Sequence, residues 1–257
     1  MFRPISQTPP RVGGGALAVI ALQNMNANGG SVPPAAENFE TPRREMVARQ
    51  IRGRGIASPA VLHAMEKVPR HLFVPPEHAA QAYDDQPLPI GGGQTISQPF
   101  MVAAMAQALA LQGNERVLEI GGGSGYQAAV LSLLAREVIA VETQPALAAS
   151  ARARVSLLGY ANLRIELGDG SLGWPLDAPY DAILVTAAAP SVPPPLVEQL
   201  AEGGRLVIPV GGTDQQNLLR LTKRDGRLPQ ESLYTCRFVP LLGRHGWQTP
   251  APESQPE

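Results

Sequence analysis

From Arg116 onward the apolar positions fall in short runs that are hydrophobic on both faces: "RVLEI", "EVIAVE", "LRIEL", "YDAILVT" and "RLVIPV". Runs this short, rich in Val, Ile and Leu, read as strands buried between helical layers. Between them lie helical segments, "GYQAAVLSLLAR" and "PALAASARARVSLLG", the second with Pro145 near its start and Gly159 at its end. Strand and helix in alternation predict an α/β fold built on a doubly wound, mostly parallel sheet. The following "NLLRLTKRDGRLPQESLYTCRFVPLL" holds two strand-like runs around Asp225 and Gly226, and predicts an antiparallel pair at the C-terminal edge. Ahead of the sheet, "TPRREMVARQIRGRG" predicts a helix with Thr41 as N-cap, Pro42 at its first position and Gly55 as its stop. A second helix starts at Ser58, with Val61, Leu62, Met65 and Val68 on one apolar stripe.

Residues 1–40 mix Gly, Pro, Asn and Ser with little periodicity, and the tail 248–257, "QTPAPESQPE", is similarly irregular. They are expected to be a disordered N-terminal extension and tail around one folded domain, 41–247. With 257 residues and 44% hydrophobic content the chain is long enough for a large single core. Its formal charge of -1 favours neither nucleic acid nor an anionic membrane. No apolar run approaches the length of a membrane helix. "GGGALAVIAL", Gly13 to Leu22, follows Arg3 and Arg11 and is a minimal signal-peptide core without a clear cleavage site, so a cytoplasmic monomer is expected. The single cysteine, Cys236, sits in an apolar-rich strand and reads as an inert thiol.

In such a sheet, ligands bind beyond the carboxyl ends of the strands. Four endings here are suited to that. "VLEIGGGSGY" runs a strand into Gly121, Gly123 and Gly125, where a ligand can approach the backbone. A dinucleotide fingerprint spaces its glycines G-x-G-x-x-G, whereas here the third comes one residue early. The G-x-G-x-G spacing, with Glu119 two residues ahead, instead resembles the S-adenosylmethionine loop of class I methyltransferases. Glu142 closes "EVIAVE" twenty-one residues after Gly121, in position to accept both ribose hydroxyls of a nucleoside of either kind. Asp169 in "LGDG" can accept a hydrogen bond from an adenine amino group. "LVTAAAP", Leu184 to Pro190, leaves room for cofactor and substrate to meet.

Other features point away from chemistry. His63, His71, His78 and His245 lack metal-ligand spacing, so no metal site is expected. The five arginines of the first helix read as a solvated face, and Trp174 and Trp247 as packing residues. "GGGQTIS" lacks the ending of a phosphate-binding loop. Its hydroxyls, Thr95 and Ser97, have no His, Lys or Asp close downstream to activate them.

Several blocks in order, "VPRHLFVP", "LPIGGGQTISQPF", "VLEIGGGSGYQAAVL", "VIAVE", "GDG", "YDAILVTAAAP", "GGRLVIPVG" and "RFVPL", resemble the protein-L-isoaspartate O-methyltransferase family over about Arg43 to Gly243. "QTISQP" is the most diagnostic, since generic methyltransferases share the glycine loop without it. The resemblance implies a Rossmann-like class I methyltransferase fold and S-adenosyl-L-methionine as methyl donor. It also implies, as acceptor, the α-carboxylate of L-isoaspartyl residues in damaged proteins and peptides. It assigns Ser97 as the active-site residue, places Thr95, Ile96 and Ser97 across the bound cofactor, and gives Gly121, Gly123, Gly125, Glu142, Asp169 and Gly170 to cofactor binding. Gly122 departs from the threonine usual in "GTGSG", and Phe100 stands where bacterial members often carry tyrosine. A class I methyltransferase of a small molecule or RNA would keep the glycine loop, Glu142 and Asp169 without needing "QTISQP". A non-catalytic cofactor-binding protein is a further alternative, and a dehydrogenase, against which the early third glycine argues, is the third.

Overall fold

The computed structural model describes residues 39–248. The expected extension up to residue 38, the Gly13–Leu22 segment and the tail from residue 249 lie outside the described residues. The chain enters through α1 (Glu40–Glu45), which continues as a π turn (Met46–Ile51) and a 3-10 turn (Arg52–Arg54) and stops at Gly55, φ +95°. The stop is where the sequence places it, but the start is not. Phe39 occupies the cap position, no side chain caps the helix, and Thr41 lies within the first turn. The entry is fixed by a ring contact: Phe39 stacks on His71 with centroids 4.1 Å apart.

His71 also hydrogen-bonds through Nδ1 to Tyr83 Oη at 2.7 Å. Burial, with the nearby Arg43 cation, lowers its pKa from 6.5 to about 4. A depressed histidine pKa means that the unfolded chain takes up the proton first. Stability is therefore full above about pH 6.5 and is lost as pH falls from there towards 4. The loss is about 2 kcal/mol after discounting for the ring's partial exposure. Urea unfolding across that window reads it, and the His71→Phe variant is expected to lose this part of the slope.

Helix α2 (Pro59–Lys67) begins as predicted, with Ser58 Oγ accepting from Val61 N. Its stripe of Val61, Leu62 and Met65, continued by Val68, is buried. A short antiparallel hairpin follows, β1 (Leu88–Gly91) and β2 (Gln94–Ile96), and then α3 (Pro99–Ala108). The main sheet comprises β3 (Arg116–Ile120), β4 (Glu137–Glu142), β5 (Leu163–Leu167), β6 (Tyr180–Val185), β7 (Leu200–Gly211), β8 (Gln216–Thr222) and β9 (Gln230–Cys236). Helices α4 (Tyr126–Ser132), α5 (Pro145–Leu157) and α6 (Pro194–Glu198) connect β3 to β4, β4 to β5 and β6 to β7.

Strand order is β5-β4-β3-β6-β7-β8-β9. The first five strands are parallel and the last two antiparallel, as the sequence predicts. Alternate residues of the central strands feed two cores. Val117, Val138, Ala140, Ala182, Leu184 and Val207 face the core built with α2, α3, α4 and α5. Leu118, Ile120, Ile139, Val141, Ile183 and Val185 face the opposite core, which contains Leu196 of α6. Because both faces are covered, the strands need apolar residues at every position, and this makes their runs continuous rather than alternating.

After β3 the chain adds β4 and β5 on one side and then crosses to β6 on the other. This reversal opens a crevice at the carboxyl ends of β3 and β6, the usual ligand position in such sheets. Among the described residues no helix is long and apolar enough to cross a membrane.

Candidate functional site

At the carboxyl end of β3 the chain turns sharply. Gly121 has φ +94°, and a Cβ there would lie 2.4 Å from Thr186 Oγ1, so a side chain is excluded both by backbone angle and by space. The N–H groups of Gly121 and Gly122 donate to Val141 O at 2.9 and 3.1 Å, tying the loop to β4. Thr186, immediately after β6, donates from Oγ1 towards Ile120 O (2.9 Å) and Gly121 O (2.8 Å). Gly123 and Gly125 also have positive φ, and Gly125 occupies the N-cap position of α4. Gly122 differs: a Cβ on it would meet nothing closer than 3.6 Å, so neither its backbone nor close contact demands glycine at the position where the resemblance has threonine.

Glu142, at the end of β4, is buried and reaches under this loop. Its Oε2 accepts from Gly123 N and its Oε1 from Gln144 N, both at 2.8 Å. Each carboxylate oxygen carries about two acceptor sites, so each retains one for a ligand hydroxyl. Glu119, inside β3, is fully buried, and neither of its oxygens has a hydrogen-bond partner in the protein. Burial, reinforced by the Glu142 charge, holds its pKa well above the ordinary carboxylate value. An unpaired buried acid is costly unless something compensates it. It lines the same cleft as Glu142, where a cationic ligand group would supply that compensation.

Asp169 stands at the end of the β5 connection, beside Gly170, which lines the cleft. Its own carboxylate is already engaged. Oδ1 accepts from Ser171 N (2.9 Å) and Ser171 Oγ (2.7 Å), and Oδ2 from Arg244 N (2.8 Å). The residue thereby anchors the C-terminal segment, while Val239, Pro240, Leu241 and Leu242 of that segment close the cleft. Gly170 is needed for close packing, since a Cβ there would come within 2.4 Å of Ile120 Cγ2.

The β1–β2 hairpin brings "GGGQTIS" back over the same strand ends. Gln144 Nε2 donates to Gly92 O at 3.0 Å, and a Cβ on Gly92 would overlap Gln144 Oε1, so the hairpin turn rests directly against the segment that leaves β4. Thr95 is exposed, Ile96 buried and Ser97 half-buried. All three line the cleft, together with Glu119, Glu142, the glycine loop and Gly170. The cleft is partly open to solvent. A second groove, with Phe100, Met101, Tyr234 and Phe238 among its apolar lining, adjoins it. Thr95, Ser97, Thr186, Val239 and Pro240 line both. Thr95 and Ser97 therefore stand where two compartments meet.

The structure brings Thr95, Ile96, Ser97, Gly121, Gly123, Glu142 and Gly170 together on one cleft. Gly125 supports it from the start of α4, and the Asp169 carboxylate faces the closing segment. Sequence reasoning passed over the burial of Glu119 and the bracing roles of Thr186 and Gln144. A charged residue within the otherwise apolar "RVLEI" was the available signal for the first; the other two depend on distant contacts.

The remaining candidates behave as packing groups. No cluster of three or more His, Cys, Asp or Glu suited to a metal occurs among the described residues. Cys236 is half-buried with Sγ 3.6 Å from Gln216 O, and burial pushes its thiol up to about 11. Trp247 Nε1 donates to Ala188 O at 3.1 Å and Trp174 Nε1 to Asp177 Oδ2 at 2.9 Å. Phe100 packs between the Arg54 guanidinium, 3.6 Å above its ring, and the edge of Tyr234.

Comparison with known proteins gives consistent matches. The sequence pattern of the family described as protein-L-isoaspartate(D-aspartate) O-methyltransferase matches residues 41–246. The protein-L-isoaspartate O-methyltransferase of Trichlorobacter lovleyi is 56% identical over 82% of this chain and 98% of its own length. That of Methanoregula boonei is 54% identical over 80% and 95%. Among solved structures, a protein-L-isoaspartate O-methyltransferase superposes with TM-score 0.71 and 32% identity, covering 79% of this chain and 67% of its own. A candidate enzyme of the same kind from Plasmodium falciparum, solved with S-adenosyl-L-homocysteine, gives 0.69 and 26%, covering 78% and 98%.

Proposed function

Because this chain belongs to the protein-L-isoaspartate O-methyltransferase family, we propose that it methylates the α-carboxylate of L-isoaspartyl residues in damaged proteins, and that Ser97 orients that carboxylate. The observation that carries the reading is the position of Thr95 and Ser97 on the wall between the cleft and the adjoining groove.

The cleft fits S-adenosyl-L-methionine. Glu142 has an acceptor site free on each oxygen for the ribose hydroxyls, and the orphaned Glu119 carboxyl suits a molecule carrying an ammonium and a sulfonium. Gly121 and Gly123 line the cleft with backbone alone, and Gly125 supports that loop from the start of α4, where it packs against Val155 and Ala151. Thr95 and Ile96 lie across the donor. Gly170 packs at the adenine end, and Asp169, its carboxylate taken up by Ser171 and Arg244, acts there by anchoring the segment that closes the cleft rather than by reaching the amino group itself. When bound, the cofactor supplies an electrophilic methyl group on positively charged sulfur.

No base is required of the protein. A carboxylate has a reference pKa of about 4 and is already ionised at neutral pH. Among the described residues Ser97 Oγ makes no hydrogen bond, so it is not tied to a base and has its donor available. The work left to the chain is positioning, which contributes about 7 to 11 kcal/mol in well-oriented systems. The donors must also be weak, because the acceptor's charge disappears as the bond forms and tight ground-state binding would raise the barrier. A hydroxyl suits that requirement better than a guanidinium.

The test is methyl transfer from labelled S-adenosylmethionine to matched peptides containing isoaspartate or aspartate. Base-labile label on the isoaspartyl peptide alone is expected. Cofactor binding without label on either peptide would reject the reading.

A further inference from the structure

The groove beyond Ser97 has a charge pattern that the methyl transfer itself does not use. Two charged side chains line it, Arg54 and Arg237, and no Asp or Glu does. The chain's formal charge is -1, so this is a local feature rather than part of a basic protein. Arg54 is committed within the fold: Nη1 donates to Asp85 Oδ2 at 2.7 Å and the guanidinium lies over the Phe100 ring. Arg237 is exposed and makes no hydrogen bond, ion pair or ring contact among the described residues. Its backbone is nevertheless held in place. It follows β9, and Phe238 N donates to Gln216 Oε1 at 2.8 Å while Val239 O accepts from Ala188 N at 2.8 Å.

We propose that Arg237 selects among acceptors, favouring isoaspartyl sites flanked by an acidic side chain and disfavouring those flanked by a basic one. The proposal rests on the groove holding the acceptor peptide. Arg237 lines the groove but not the cofactor cleft, so its charge is offset from the reacting carboxylate. That separation matters. A cation on the reacting carboxylate would stabilise a charge that vanishes in the transition state, whereas a flanking carboxylate keeps its charge throughout. Pairing with the flank therefore lowers KM and leaves kcat alone.

Three isoaspartyl peptides differing only in flanking Glu, Ala or Lys test this by initial-rate kinetics at low ionic strength. KM is expected to rise from Glu to Ala to Lys by about threefold per step, the scale of an exposed ion pair, with kcat equal across the set. Added salt compresses the series. The Arg237→Lys variant keeps the order, Arg237→Gln compresses it and Arg237→Glu inverts it. Equal KM values in the parent enzyme, or an order that Arg237→Glu leaves unchanged, would overturn the assignment. Methylation of the Ala-flanked peptide without any charge preference removes this inference alone; failure to methylate all three, with cofactor bound, removes the function reading beneath it.

Discussion

Replacing Glu142 with alanine is expected to raise the dissociation constant for S-adenosylmethionine about 100-fold, the scale of losing two charge-assisted hydrogen bonds in a sheltered site. Glu142 acts on both sides of the contact. Its oxygens fix Gly123 N and Gln144 N, and so hold the glycine loop and the residue that braces the Gly92 turn. On the proposed reading, their remaining acceptor sites take the ribose hydroxyls. The alanine variant loses both. Isothermal titration with S-adenosylhomocysteine measures the effect without turnover, and thermal unfolding of the ligand-free protein reports the structural share separately. An unchanged dissociation constant would remove Glu142 from the cofactor site.

The second large effect has the opposite signature. Ser97→Ala is expected to lower kcat about 100-fold, the scale of losing near-attack positioning, while the cofactor's dissociation constant stays within about twofold. Ser97 is half-buried, has no partner among the described residues and lies on the wall between cleft and groove, so removing its hydroxyl breaks no hydrogen bond within the fold. Ser97→Thr keeps a hydroxyl and should recover part of the rate. Full activity in the alanine variant would sink the orienting role. The two substitutions thus separate holding the donor from aiming the acceptor.

Most of this arrangement was legible in the sequence because one physical constraint imposed it. Strands covered on both faces must be apolar throughout, so the five parallel strands stand out as runs, and their polar endings mark the ligand side. Glu142 and the glycine loop were recoverable for that reason. What stayed hidden depends on contacts between distant positions. Asp169 as a bare Asp-Gly gives no sign that Arg244, seventy-five residues on, donates to it. Thr186 reads as one small residue in "LVTAAAP", yet its hydroxyl closes the turn at Gly121. Glu119 was visible as a charge in an apolar strand, but only the fold shows that it has no partner. Thr41 misled because a good N-cap contributes about 1 kcal/mol, and here the stacking of Phe39 on His71 fixes the entry two residues earlier.

The central claim is that the acceptor brings its own charge and the enzyme supplies position rather than a base. Single-turnover methyl transfer to an isoaspartyl peptide, with enzyme and cofactor saturating, measures it directly as a function of pH. A rate constant that stays flat between about pH 6.5 and 8.5 is predicted, since the acceptor carboxylate is ionised throughout. A rate that climbs tenfold per pH unit across that range would reveal a required base and contradict the account.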